Sequence, residues 1–181
     1  MLQIAVTVVG EQWDSENQVF VEPVVKELQL EHSLLSLSKW ESKWCKPFLT
    51  KEPKTQEETM DYIRCMTLNT DVDPEIYNML TYADIKKIEK YIEAPMTATT
   101  INEQKGGKVN REIVTSEVIY YWMVALNIPS EYQAWHLNRL LTLIRVCNIK
   151  NQPAKKTSRK EQLSQNAALN MARRKQLNSR G

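Results

Sequence analysis

The sequence predicts an α+β fold that is predominantly helical: a small N-terminal antiparallel β element packed on a helical domain, with a C-terminal basic helical tail. Three observations predict it. Apolar residues alternate with period two at the N-terminus, recur at helical spacing after His32, and give way beyond Pro153 to a polar segment rich in Lys and Arg. The expected division is residues 1–149 as one globular domain (1–32 β-rich, 33–149 helical) and 150–181 as the tail, with a linker over 150–157 and a marginal helix after it. A chain of 181 residues, 42% of them apolar, is long enough to bury one good core.

The β element rests on Leu2, Ile4, Val6 and Val8, which share one face of an extended segment while Gln3 and Thr7 lie on the other. A polar loop, Glu11 to Asn17, leads to Val19-Phe20-Val21, predicted to pair back as a hairpin, with a third short strand at Leu28-Gln29-Leu30. Beyond it the period changes. Ser33 suits an N-cap, and Leu34, Leu37, Trp40 or Glu41, and Trp44 recur at helical spacing until Pro47 stops the run.

Helix signals then follow one another. Thr55 and Glu58 form a capping box ahead of a stripe of Met60, Ile63 and Thr67. Asp73-Pro74 opens a short helix through Leu80, because Asp caps free amides and proline fits the first turn. Another helix begins at Thr81 and carries Ile85, Ile88 and Ile92. From Pro95 to Asn110 the Thr-rich stretch with Gly106-Gly107 reads as an exposed loop, an Ω-loop or a hairpin. Residues 111–127 read as the most apolar helix, and a helix apolar on every face belongs at the centre of a core. Ile128-Pro129 ends it, and Ser130 with Gln133 makes a capping box for a helix bearing Leu137, Leu140, Leu141, Ile144 and Asn148, with Arg139 and Arg145 outside. These two helices are expected to form a hairpin that scaffolds the domain. In the tail, Ser158 and Glu161 form a third capping box, and Leu163, Ala167 and Met171 make a stripe too thin to hold a helix firmly on its own.

Charge divides the chain. Residues 150–181 carry nine basic residues against the single acid Glu161, a net +8, and the overall +2 therefore leaves −6 for residues 1–149. The division implies a folded body and an arm that seeks an acidic surface. The longest apolar run, Val118 to Leu126, has nine residues, far below the roughly 20 of a membrane-spanning helix, so no membrane association is expected. The N-terminal segment lacks the features of a secretory signal, and the expected compartment is the cytoplasm. Cys45, Cys65 and Cys147 are widely spaced, which suits buried thiols rather than disulfides or zinc.

Catalytic and metal motifs are missing from the sequence pattern, and neither an enzymatic activity nor a cofactor is expected. Asp71, Asp73 and Glu75 imitate the start of a calcium loop, but Ile76 stands where glycine is needed and Tyr82 where glutamate is needed, so a helix cap is the better account. Lys105-Gly106-Gly107-Lys108 lacks the phosphate-loop pattern and reads as a flexible turn. His32 and His136 have no nucleophile motif beside them.

Candidate contact residues fall in two groups. Trp40 and Trp44, four apart on one helical face, are either core or anchors for the apolar helix of a partner. In the tail, Lys155, Lys156, Arg159, Lys160, Met171, Arg173, Arg174 and Lys175 form either a solvated end or a contact arm. A nucleic-acid role for this arm is disfavoured because residues 150–181 contain no aromatic side chain to stack on bases.

Four blocks resemble a known family. Leu28 to Trp44 (LQLEHSLLSLSKWESKW), Tyr62 to Thr67, Ala94 to Thr99 and Trp135 to Asn148 (WHLNRLLTLIRVCN) are similar to tailed-bacteriophage tail assembly chaperones, as is the Asn-Ala-Ala-Leu-Asn and Arg-Arg-Lys-Gln-Leu-Asn ending at 166–178. The likeness covers nearly the whole chain and departs from the family pattern at Thr100, Ile101 and Ser130. It implies a protein of the host cytoplasm that binds the helical tape measure protein, keeps its apolar stretches soluble and promotes tail-tube assembly, with the tail-tube protein or a second copy as further partners. The alternative from another class is a structural virion protein of the neck or tail with a basic contact arm.

Overall fold

The structure, a computed structural model, describes residues 1–9, 12–14, 19–21, 24–101, 113–151 and 159–177. It comprises two compact units, Met1–Asn148 and Ile149–Gly181. The first is an α+β unit in which helices predominate. In order it contains strands β1 (Leu2–Val9), β2 (Gln12–Asp14), β3 (Val19–Val21) and β4 (Val24–Leu30), then helices α1 (Leu34–Trp44) and α2 (Gln56–Met66). A 3-10 helix (Pro74–Met79), α3 (Tyr82–Glu93), α4 (Ser116–Ala125), a second 3-10 helix (Ser130–Ala134) and α5 (Leu137–Asn151), whose residues 149–151 fall in the second unit, follow. The second unit contains α6 (Arg159–Leu177).

The alternation of β1 is realised as read. Ile4 and Val6 are buried, with Leu2 and Val8 half-buried against the same cluster. Its partner is different from the one expected. β1 pairs antiparallel with β4, Leu2 opposite Leu30 and Ile4 opposite Leu28, while Val19–Val21 pairs with Gln12–Asp14 inside what had read as a loop. Pairing with β4 sets the apolar residues Leu28 and Leu30 beside Ile4 and Leu2 on one buried face, a register the alternation of β1 alone cannot select. Residues 66–69 cover the edge of β4: Glu31 N donates to Met66 O, Leu68 N to Gln29 O, and the Asn69 carboxamide accepts from Gln29 N at 2.7 Å.

The capping residues act as the sequence indicates. Ser33 caps α1 reciprocally with Ser36, Thr55 caps α2 with Glu58, and Thr81 caps α3 with Asp84. Asp73 accepts from the Glu75 amide at 3.0 Å and opens the first 3-10 helix. Cys45, in the left-handed region at φ 50°, ends α1. That position leaves Cys45 exposed, with Cys65 and Cys147 half-buried, so the expectation of three buried thiols is corrected.

Helix α1 divides the interior. Trp40 faces a cluster formed with β1, β4, α2 and α3, including Tyr62, Ile63, Met66 and Ile88. Leu34 and Leu37 face a second cluster with Ile119, Met123, Leu137, Leu140 and Ile144. Each fully buried Leu or Ile contributes about 1.5–3 kcal/mol, so α1, which serves both clusters, is the scaffold expected of an α4–α5 hairpin. Helix α4 packs against α1. Helix α4 is also shorter than residues 111–127 and is not central: Ile119 and Met123 are buried, but Tyr121 is 69% and Val124 77% exposed. Ten residues with a single packed face cannot bury an all-round apolar surface at the edge of a unit this size.

Ser130 does not cap α5. It begins the second 3-10 helix, and α5 starts after His136, whose Nδ1 accepts from the Asn138 amide at 3.3 Å. The core stripe of α5 is otherwise as read, with Leu137, Leu140 and Ile144 buried, Leu141 packed beside them, and Arg139 and Arg145 exposed. Residues 95–101 are irregular; the rest of the expected loop, with Gly106-Gly107, and most of the linker, with Ser158, lie outside the described residues.

Candidate functional site

Trp40 is core. It is 1% exposed, its indole Nε1 donates to the Glu58 carbonyl at 2.9 Å, and its ring meets Phe48 edge-on at 5.0 Å. The reading of Trp40 as a partner anchor is therefore corrected: the face it shares with Leu37 is consumed in joining the two clusters. Trp44, one turn later, is half-buried and stacks on Trp40 with ring centres 6.0 Å apart. Its Nε1 donates to Asp61 Oδ2 at 2.9 Å, and Lys43 Nζ donates to Asp61 Oδ1 at 2.5 Å. Burial by itself would raise the Asp61 carboxyl, but these two hydrogen bonds and the Lys43 charge override it and hold the group below the usual range. Trp44 thus fastens α1 to α2.

In α6, Met171 is 65% exposed, Leu163 64%, and Arg173, Arg174 and Lys175 are exposed as well. Arg159 and Lys160 lie in the helix, although their side chains are outside the described set, as are residues 155 and 156 altogether. The thin stripe and its basic neighbours are therefore available on the surface of this unit.

A feature missed at the sequence level is an apolar groove of about 610 Å³ in the first unit. Its floor is Trp122, Leu141 and Ile144, its wall Leu49, Ile113 and Val114, and Lys51 and Arg145 stand among its lining. Leu49 is 39% and Ile113 59% exposed. The apolar neighbourhood of Trp122 reads as core, and its ring is half-buried against the second cluster while also lining this groove; the signal that could have placed it here is its position about 60° around the helix from Ile119 and about 100° from Met123, at the margin of their stripe.

The two histidines, 104 positions apart, meet in the interior with ring centres 5.1 Å apart. His32 Nδ1 lies 2.5 Å from the Tyr62 hydroxyl. Burial, reinforced by His136, depresses the His32 pKa to about 3, so the ring is neutral at pH 7. His136 Nε2 donates to the Tyr91 carbonyl at 3.0 Å while its Nδ1 accepts, which fixes the neutral Nε2–H tautomer. Tyr91 donates in turn to Glu31 at 2.8 Å. Among the described residues no fully buried side-chain nitrogen or oxygen lacks a hydrogen bond, and with Tyr62 pushed upward by burial the network is a hydrogen-bonded brace. Among the described residues no group of His, Cys, Asp and Glu is placed to hold a metal, and no helix is long and apolar enough to cross a membrane.

No protein-family model, curated protein or solved structure matches the chain.

Proposed function

We propose that this protein is a bacteriophage tail assembly chaperone. It works in the host cytoplasm without catalysis, binding apolar helical stretches of the tape measure protein and promoting tail-tube assembly. The observation that carries the reading is the groove of Trp122, Leu141 and Ile144 walled by Leu49 and Ile113, whose volume of about 610 Å³ suits two or three apolar side chains of a helix. The family-like blocks Leu28–Trp44 and Trp135–Asn148 support it, because they supply Leu34, Leu37, Leu137, Leu140 and Ile144, the cluster against which the groove is built. The exposed stripe and charges of α6 suit a segment that adds contacts when the partner arrives. The same exposed basic helix favours the second reading, a structural neck or tail protein with α6 as its contact arm.

Co-expression with a bacteriophage tape measure protein tests the proposal. The partner becomes soluble and co-purifies with the wild type, and is lost with Leu49→Asp combined with Ile113→Asp, both at exposed wall positions that leave the thermal midpoint unchanged. A tape measure that stays insoluble with the wild type overturns the reading, and stoichiometric protein in purified virions replaces it with the structural one.

A further inference from the structure

Two exposed apolar stripes of this chain share one spacing and carry opposite charge. On α4, Glu117, Tyr121 and Ala125 follow one another four residues apart with Val124 beside them, and all four are exposed. Neither Tyr121 nor Val124 belongs to either interior cluster. From Val114 to Ala134 the chain carries Glu117 and Glu131 and no Lys or Arg. Helix α4 therefore turns an apolar ridge with an acidic margin outward.

Its complement is α6. Leu163, Ala167 and Met171 recur at the same interval and are exposed as well. Arg159 and Lys160 stand one turn before this stripe in the sequence, and Arg174 and Lys175 one turn after it. A stripe this thin does not hold a helix by itself, so α6 gains stability from a surface that covers it. One antiparallel register satisfies both helices, with Met171 on Tyr121, the small Ala167 against Val124 and Ala125, and Lys175 beside Glu117. In that direction the two helix dipoles also attract.

We propose that α6 of one copy docks on the outer face of α4 in a second copy, and that two copies exchange these arms in a closed dimer. Both stripes are bare within a single chain, and a second copy supplies the cover for each. Charge argues for this occupant from both sides of the contact. Residues 150–181 carry +8 and residues 1–149 carry −6, so an arm is drawn to another body, whereas two arms or two bodies repel. Each copy offers one arm and one face, so the exchange closes at two. The contact shares no residue with the groove lined by Trp122 and Ile144, and it stands whether or not that groove binds a tape measure.

Sedimentation of the full chain tests the exchange. The wild type sediments as a dimer that weakens as salt is raised. Tyr121→Lys with Val124→Lys, both at exposed positions, keeps the thermal midpoint and raises the dimer dissociation constant about tenfold or more. Arg174→Glu with Lys175→Glu does the same from the arm. Glu117→Arg alone weakens the dimer, and combining it with Lys175→Glu restores association, because the ion pair is rebuilt with its signs exchanged. Leu49→Asp with Ile113→Asp leaves the dimer unchanged. A monomeric wild type, a dimer indifferent to either double variant on α4 or α6, failure of the exchanged pair to restore association, or loss of the dimer in the groove variant each overturns the proposal.

Discussion

Glu41 and Ser116 are joined at 2.7 Å, the carboxylate Oε2 accepting the first amide of α4 across 75 positions of chain. The other oxygen, Oε1, accepts the Phe48 amide at 2.8 Å. Thr115, at the N-cap position of α4, makes no side-chain cap, so Glu41 supplies the acceptor and places a negative charge at the positive end of that helix. One buried carboxylate on α1 thereby ties both the turn after α1 and the start of α4. Glu41→Ala strands two amides, and at about 1–3 kcal/mol each the variant should lose about 2–6 kcal/mol. Glu41→Gln, which keeps one acceptor but turns an N–H2 toward the other amide, should lose a substantial part of this. Denaturant unfolding measures both, with the exposed Glu57→Ala as a control within about 0.5 kcal/mol of wild type. A Glu41→Ala variant as stable as the control would remove the role assigned to this clip.

The paired tryptophans should separate under mutation. Trp40→Ala empties a fully buried site and removes the hydrogen bond to Glu58, so a loss of about 3–5 kcal/mol is expected. Trp44→Phe keeps most of the apolar surface and loses the bond to Asp61, costing about 1–2 kcal/mol. Thermal unfolding distinguishes them, and two small, equal losses would contradict the placement of Trp40 in the core.

Much of this was legible because it is local. Ser33, Thr55, Asp73 and Thr81 announce their helices through hydrogen bonds that span two to three residues. What failed was nonlocal. Nothing in Leu2–Val8 says whether Val19–Val21 or Val24–Leu30 will lie beside it, and the apolar run Val118–Leu126 does not reveal that within it only Ile119 and Met123 are fully buried while Tyr121 and Val124 are exposed. For the same reason Trp122 was read as core and the groove it lines went unseen. The Glu41 clip was equally hidden, because a carboxylate on a helical stripe with Leu37 and Trp44 looks like the polar margin of an apolar face.

Acid should loosen the interior before the ordinary carboxylates titrate. Folding depresses the His32 pKa from 6.5 to about 3, so between these values the unfolded chain binds a proton that the folded chain does not. The stability this neutral ring confers is complete above pH 6.5 and falls as pH drops toward 3, by up to about 1.4 kcal/mol per pH unit. His136, lowered chiefly by burial against the opposing hydrogen bond to Tyr91, acts in the same direction. Denaturant midpoints between pH 6.5 and 4.5 should decline accordingly, and His32→Gln, less stable at pH 7, should decline more gently. Parallel pH profiles for the two proteins would show that His32 does not carry the dependence.

Asn69 completes the sheet edge with a side chain in place of a strand. Its Oδ1 accepts from Gln29 N at 2.7 Å and its Nδ2 donates to Glu27 O at 3.2 Å, so the carboxamide imitates a neighbouring peptide group beside β4. The imitation works because the Leu68 amide, donating to Gln29 O at 2.8 Å, holds the segment in register. Asn69→Asp preserves the acceptor and abolishes the donor, whereas Asn69→Ala removes both. The aspartate variant should therefore lose about 1 kcal/mol and the alanine variant about 2, at roughly 1 kcal/mol per hydrogen bond. Hydrogen exchange gives the sharper reading: the Gln29 amide should lose protection in Asn69→Ala and keep it in Asn69→Asp. If Gln29 exchanges equally slowly in both, its amide is protected by something other than Asn69.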